Sequence, residues 1–199
     1  MGSLSFVRKQ GAGIGEVFEA LASLRITVFR DFPYLYEGSK DYEKAYLQTY
    51  ARAERAFLFA VYDGPVMVGA TTCIPLINET AEVRKPFENA GMAVDRIFYF
   101  GESMLLKTYR GLGLGHRFFD EREAHARHFG MYEATCFCAV DRGDHHPAKP
   151  ADYRPNDAFW LKRGYRKVPA LQSKFDWPDI GETVSTPKPM IYWMRPLTQ

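Results

Sequence analysis

In Leu105-Leu106-Lys107-Thr108-Tyr109-Arg110-Gly111-Leu112-Gly113-Leu114-Gly115-His116 an apolar run gives way to an arginine, three alternating glycines and then a helical pattern. Glycine has no Cβ, so the backbone can turn tightly here and come close to a ligand. The first N–H groups of the helix that follows have no partner within it and are free to point at an anion. Arg110 adds positive charge beside them. The stretch reads as a pocket for a diphosphate.

Spacing narrows the choice of ligand. A dinucleotide site needs G-x-G-x-x-G, but Gly111 and Gly113 are followed by His116, and Gly113 and Gly115 by Phe118. The Gly-Lys-Ser/Thr of a nucleotide P-loop is absent. What the letters do spell is R-x-x-G-x-G, at Arg110, Gly113 and Gly115. Downstream, Asn156-Asp157-Ala158-Phe159-Trp160-Leu161-Lys162-Arg163-Gly164-Tyr165 offers an Asn, an aromatic pair on a helical pattern and a Gly-aromatic close. A helix pattern and the strand-like run Tyr132 to Val140 lie between the two. In order and separation these motifs resemble the acyl-CoA loop and the later signature of the GNAT N-acetyltransferase superfamily, over roughly Ala56 to Tyr165. The resemblance implies a single-domain α/β fold: a mixed, mostly antiparallel central sheet flanked by helices, with a V-shaped cleft for CoA.

Composition agrees with one domain across residues 1–199, since 199 residues can bury a full core and two halves would each be small. With 46% hydrophobic, 15% aromatic and 25% charged residues, the chain is not of the disordered class. A net charge of +2 without a Lys/Arg block argues against nucleic acid. No apolar run approaches the ~18 residues of a membrane span, and Met1 to Gly15 lacks the apolar core of a signal peptide, so the expected compartment is the cytoplasm. Met1-Gly2 does not continue into a myristoylation pattern, because position six is Phe6. Cys73, Cys136 and Cys138 read as buried thiols, and Cys136, Cys138, His145 and His146 match no common zinc spacing, so no metal is expected. His125 and His128 lack the H-E-x-x-H arrangement and read as exposed helix residues.

Periodicity places helices at Glu16 to Phe29 and Lys40 to Glu54, the second with Tyr42, Tyr46 and Tyr50 on one face. Phe57 to Tyr62 and Val66 to Ile74 flank Asp63-Gly64-Pro65 as a hairpin. Ala81 to Ala90 is a short helix that Pro86 should break or confine to a turn. Ile97 to Leu106 is the strand entering the glycine loop, and Gly115 to Phe129 the helix leaving it, its Arg and Glu residues on the outer face. Asp141 to Pro155 is a long loop, and Ile191 to Met194 the last strand, exposed at the sheet's end.

Transfer to an amine must first overcome protonation, since a lysine-like amine of pKa about 10.4 is neutral in only about one molecule in 2,500 at pH 7. The resemblance implies direct attack of the neutral amine on the acetyl-CoA thioester, with backbone N–H groups holding the oxyanion. It makes Glu102 the first candidate base; the plainer reading is a strand-edge carboxylate, and a one-residue slip or a β-bulge would reverse its face. The family often places a Tyr acid at the second aromatic of the late signature. This chain has Trp160 there, whose indole cannot serve, so either the thiolate leaves protonated by water or another group such as Tyr153 or Tyr165 substitutes. CoA would be held by Leu105, Leu106, Arg110, Gly111, Leu112, Gly113, Leu114, Gly115 and His116, together with Asn156, Phe159 and Trp160. Asn156 is equally an N-cap by type, and the two aromatics equally core. Phe32, Tyr34, Tyr36 and Tyr42 are the candidate acceptor contacts, suited to a cationic amine but also to simple packing. A homodimer is the mild preference the resemblance adds. The alternatives are a non-catalytic acyl-CoA-binding module on the same fold and an interaction protein using exposed aromatics.

Overall fold

The computed structural model describes residues 3–197; the Met1-Gly2 pattern lies outside them. Seven strands form one sheet in the order β1-β2-β3-β4-β5-β7-β6. They are β1 (Leu4–Gln10), β2 (Phe57–Asp63), β3 (Val66–Pro75), β4 (Ile97–Leu105), β5 (Ala134–Val140), β6 (Arg166–Trp177) and β7 (Thr186–Pro196). Every neighbouring pair is antiparallel except β4 with β5. The helices are α1 (Phe18–Phe29), α2 (Lys40–Arg52), α3 (Ala81–Asn89), α4 (Leu114–His128) and α5 (Asp157–Lys162).

Strand alternation sends side chains to two cores. Leu58, Ala60, Ile97 and Tyr99 pack with Leu21, Leu24, Leu47, Val83 and Phe87 of α1, α2 and α3. Phe57, Phe59, Phe98 and Phe100 pack with Phe118 and Phe119 of α4. Each fully buried Phe contributes roughly 1.5–3 kcal/mol, so the sheet is held from both faces. Among the described residues no helix is long and apolar enough to cross a membrane.

The structure adds two strands and changes several expectations. β1 and β6 carry no simple apolar alternation; both are edge strands, where Arg8 and Lys9, or Pro169 inside a register shift, are tolerated. β7 is therefore not the exposed end of the sheet but lies between β5 and β6. The first helix starts later, at Phe18, after a 3-10 stretch Gly11–Val17. Pro86 does not break α3: the Glu82 carbonyl, which its missing N–H leaves without a helical donor, accepts from Ser173 Oγ of β6 at 2.8 Å. On α4, Arg122 and Glu123 are buried rather than outward; Arg122 lies over the rings of Phe100 and Phe119, and burial lowers its pKa to about 10. On the same helix His125 is half-buried, stacked on Phe57.

Candidate active site

The cleft begins where β4 and β5 part. They pair in parallel only from Ile97 to Tyr99 against Ala134 to Cys136; beyond that β5 follows β7 and β4 follows β3. On β4, Thr71 faces Ser103 while Cys73 faces Phe100, so Gly101 and Glu102 together oppose Thr72. This is a β-bulge, and it inverts the parity of the strand. Without it Glu102 would share a face with Phe98 and Phe100; with it, Glu102 turns toward α1 and α2.

One wall of the cleft is backbone. β4 runs into a 3-10 turn at Lys107–Tyr109, and then Gly111 and Gly113 take φ of 80° and 78°. A Cβ would meet nothing within 4 Å at either residue, so the demand for glycine is conformational, not one of space. Gly113 caps α4, and the Arg117 N–H returns to its carbonyl at 3.2 Å, leaving the N–H groups of Leu114, Gly115 and His116 without backbone partners among the described residues. The Leu114 side chain is buried in the core, so this residue can offer a ligand only its backbone. Leu112 and Arg110 are exposed, Arg110 donating through Nε to the Leu105 carbonyl at 3.4 Å. Leu105, Leu106 and Arg110, with Thr27, Val28 and Asp31, line a hollow of about 340 Å³ beside the loop. Across the loop, Phe159 packs edge-on to His116 at 4.8 Å and lies 3.6 Å from where a Gly115 Cβ would stand. Trp160 packs on Phe137 and Trp193 at 4.9 and 5.1 Å. Asn156 precedes α5, exposed, and its side chain makes no capping hydrogen bond among the described residues.

The other wall is side chains. A cavity of about 250 Å³ is bounded by Phe29, Tyr34, Tyr36, Tyr42, Tyr46 and Trp177, with Arg25 and Glu102 at its charged end. Of the four aromatics named from the sequence, Tyr34, Tyr36 and Tyr42 line this cavity. Phe32 does not line it: its ring meets Tyr153 edge-on at 4.6 Å and His146 at 5.7 Å, forming an outer aromatic layer. The connector is closed against the stretch after β6 by Ile180 N–H to Leu35 O at 2.7 Å and Glu37 N–H to Pro178 O at 3.0 Å. Arg142 locks it further, donating to the Pro33 carbonyl and to both Asp179 oxygens at 2.7 Å, and to the Tyr34 carbonyl.

Several buried ionisable groups meet here. Arg25 bridges Glu43 and Glu102, and Glu102 also accepts from Thr72 Oγ1, so both of its oxygens have donors. Glu79 is buried without an arginine of its own, accepting from Tyr50 Oη at 3.0 Å and from the Thr80 N–H at 3.0 Å. Desolvation pushes its carboxyl up to about 7. Burial pushes the Cys138 thiol up to about 12, and Tyr99 Oη lies 3.1 Å from its sulfur, so this is no nucleophile. Two candidate acids fall elsewhere. Tyr165 is fully buried beneath α4, its hydroxyl bonded to Thr135 Oγ1 at 2.8 Å and Glu123 Oε1 at 3.3 Å, with no route to the cleft. Tyr153 belongs to the outer layer with Phe32 and not to the cavity lining. Arg25, Glu43 and Glu79 carried no signal as isolated letters on a helix or in a loop; their partners are distant in sequence.

No family model matches the chain, and no curated protein matches it in sequence. Solved structures do match over essentially its whole length. An Acinetobacter baylyi protein described as a putative acetyltransferase superposes with a TM-score of 0.63 at 12% identity, covering 98% of this chain and 93% of its own. An N-acetyltransferase from Staphylococcus aureus gives 0.61 at 10% identity, with 99% and 100% covered. Arabidopsis thaliana NAA60, solved with a bisubstrate analogue, gives 0.60 at 11% identity, with 98% and 100% covered. A Streptococcus pneumoniae protein described as an acetyltransferase of the GNAT family gives 0.57 at 11% identity, with 98% and 99% covered. With its strand order, its parting of β4 from β5 and its glycine turn into α4, this chain has the GNAT N-acetyltransferase fold.

Proposed function

We propose that the protein transfers an acetyl group from acetyl-CoA to the amine of a small molecule. The observation that carries this reading is the pairing of two unlike features on one fold: N–H groups at the start of α4 without backbone partners among the described residues, and an aromatic cavity that reaches Glu102 near the parted strands. Gly111 to His116 and Arg110 would take the pyrophosphate, the β4 edge at Leu105 and Leu106 the pantetheine arm, and Asn156 its amides, with Phe159 and Trp160 flanking.

Structural neighbours include a ribosomal-protein-alanine N-acetyltransferase from Brucella melitensis and NAA60, so a protein acceptor is the competing choice. The connector closed by Arg142 favours a small acceptor, because about 250 Å³ behind a fixed wall suits a compact molecule better than a chain terminus with flanking residues. Aromatic faces with Glu82 and Asp176 among the lining residues suit a cationic amine.

Calorimetric titration with acetyl-CoA, desulfo-CoA and ADP, followed by thiol release across an amine panel, tests the reading. One-site binding and amine-dependent thiol release are expected. Binding with no thiol release would make the protein a CoA-binding regulator, and no binding at millimolar ligand would reduce the loop to a structural turn.

A further inference from the structure

We infer that the acceptor ammonium loses its proton through a hydrogen-bonded chain from Tyr46 to Tyr50 to Glu79, with Glu79, not Glu102, as the final acceptor; this rests on the acetyltransferase reading above.

Three observations converge. Tyr46 lines the cavity, its Oη lies 3.2 Å from Tyr50 Oη, and Tyr50 Oη donates to Glu79 Oε1 at 3.0 Å. With Tyr46 donating to Tyr50, the chain is polarised toward Glu79, and Tyr46 Oη keeps its lone pairs for a donor in the cavity that Tyr46 lines. The Tyr50 hydroxyl also reaches the bulge, because Gly101 leaves it room: a Cβ built on Gly101 would overlap Tyr50 Oη. The bulge thus delivers a phenol to the place where β4 parts from β5.

Glu102 is poorly equipped for the same task. Arg25 and Thr72 already donate to its two oxygens, so a proton arriving there would disrupt a buried ion pair. Glu79 faces Tyr46 and Tyr50 of α2, Glu102 and Tyr99 of β4, Cys136 and Cys138 of β5, Tyr192 of β7 and, at longer range, Arg25 of α1. Burial outweighs the two hydrogen bonds it accepts and holds it near 7, where a base is half ionised at neutral pH.

The step balances. The ammonium gives one proton to Tyr46 Oη, Tyr46 passes its own to Tyr50, and Tyr50 passes its own to the Glu79 carboxylate. The tyrosines end neutral, Glu79 protonated and the amine free. The amine nitrogen then bonds to the thioester carbon, the C–S bond breaks, and the departing thiolate takes the remaining ammonium proton of the adduct. Glu79 releases its proton to solvent. No side-chain acid is required, which fits Trp160 standing at the late signature.

The test combines pH profiles of kcat/KM for the amine with carboxyl-carbon NMR of the ligand-free protein. Wild type should show an acid limb near the Glu79 titration at about 7. Glu79→Gln should lose that limb and at least about 100-fold in rate; Tyr50→Phe, which keeps the carboxylate but cuts the chain, should also lose the limb. Glu102→Gln should keep it, whatever its rate. A limb that persists in folded Glu79→Gln with a rate within about threefold of wild type overturns the relay. If Glu79→Gln does not fold, a persistent limb in Tyr50→Phe, or a Glu79 carboxyl resonance titrating in the ordinary range near 4, does the same. Wild type that binds acetyl-CoA but releases no thiol overturns the enzyme reading and the relay together, whereas active wild type with an unmoved limb overturns the relay alone.

Discussion

The two walls of the cleft are made of different materials. The proposed donor side is main chain: two glycines with positive φ, a helix start whose first N–H groups have no backbone partner among the described residues, and an exposed arginine, all within residues 110–117. The proposed acceptor side is side chain: aromatics and buried charges gathered from α1, α2, β4, β6 and the connector after α1. A backbone site keeps its shape through conformational preference and tolerates variation around it. A side-chain site of buried charges holds only while every partner is present, since each one removed leaves another uncompensated.

Removing Arg25 presses that contrast hardest. Arg25→Met leaves Glu43 and Glu102 buried without their shared cation, and stability should fall by about 3–5 kcal/mol. Thermal melting should drop by roughly 6–20 °C, while acetyl-CoA affinity measured below the transition stays within about threefold. A melting point within about 3 °C of wild type would show that the acceptor side is not held by this ion pair.

Gly113→Trp is the matching strike on the donor side. Its φ of 78° and its place at the α4 start make a bulky side chain block the anion cradle, and acetyl-CoA affinity should fall at least about 100-fold, roughly 2.7 kcal/mol. The fold should survive, because the left-handed conformation costs only about 1–2 kcal/mol and a Cβ meets nothing there. Undiminished calorimetric affinity in a folded variant would remove the loop from the CoA site.

Glu79 connects stability to pH. Its folded pKa of about 7 lies above the unfolded value of roughly 4.3, so its contribution to stability is full below the unfolded value and is lost as pH rises through about 7. Glu79→Gln keeps an acceptor for Tyr50 and carries no charge. Relative to it, wild type should lose on the order of 3 kcal/mol between pH 4.5 and 8 in denaturant titrations. Parallel stability curves for the two proteins would place Glu79 in an ordinary carboxylate environment.

Arg142→Lys should have the smallest effect and the most selective. Lysine cannot reproduce the fork on Asp179 together with the donations to the Pro33 and Tyr34 carbonyls, so the cavity wall loosens. The amine KM should rise by about tenfold with the acetyl-CoA KM unchanged. A shift in both would mean that the two walls are mechanically coupled.

The same division decides what could be read before the fold was known. R-x-x-G-x-G at Arg110 to Gly115, the apolar strand before it, the helix after it and the hairpin at Asp63 to Pro65 are local facts: glycine conformation, helix starts and period-two patterns act over a few residues. They were enough for an α/β fold with a glycine turn leading into a helix. Tertiary structure alone decided the rest. The bulge that turns Glu102, the Ser173 donor that lets Pro86 stay in α3, the burial of Tyr165 under α4 and the joining of Glu79 to Tyr50 each depend on groups between 29 and 91 residues apart. A carboxylate's letter does not say whether an arginine or a phenol will meet it. That pairing, and with it the chemistry available in the cleft, exists only after the sheet has closed.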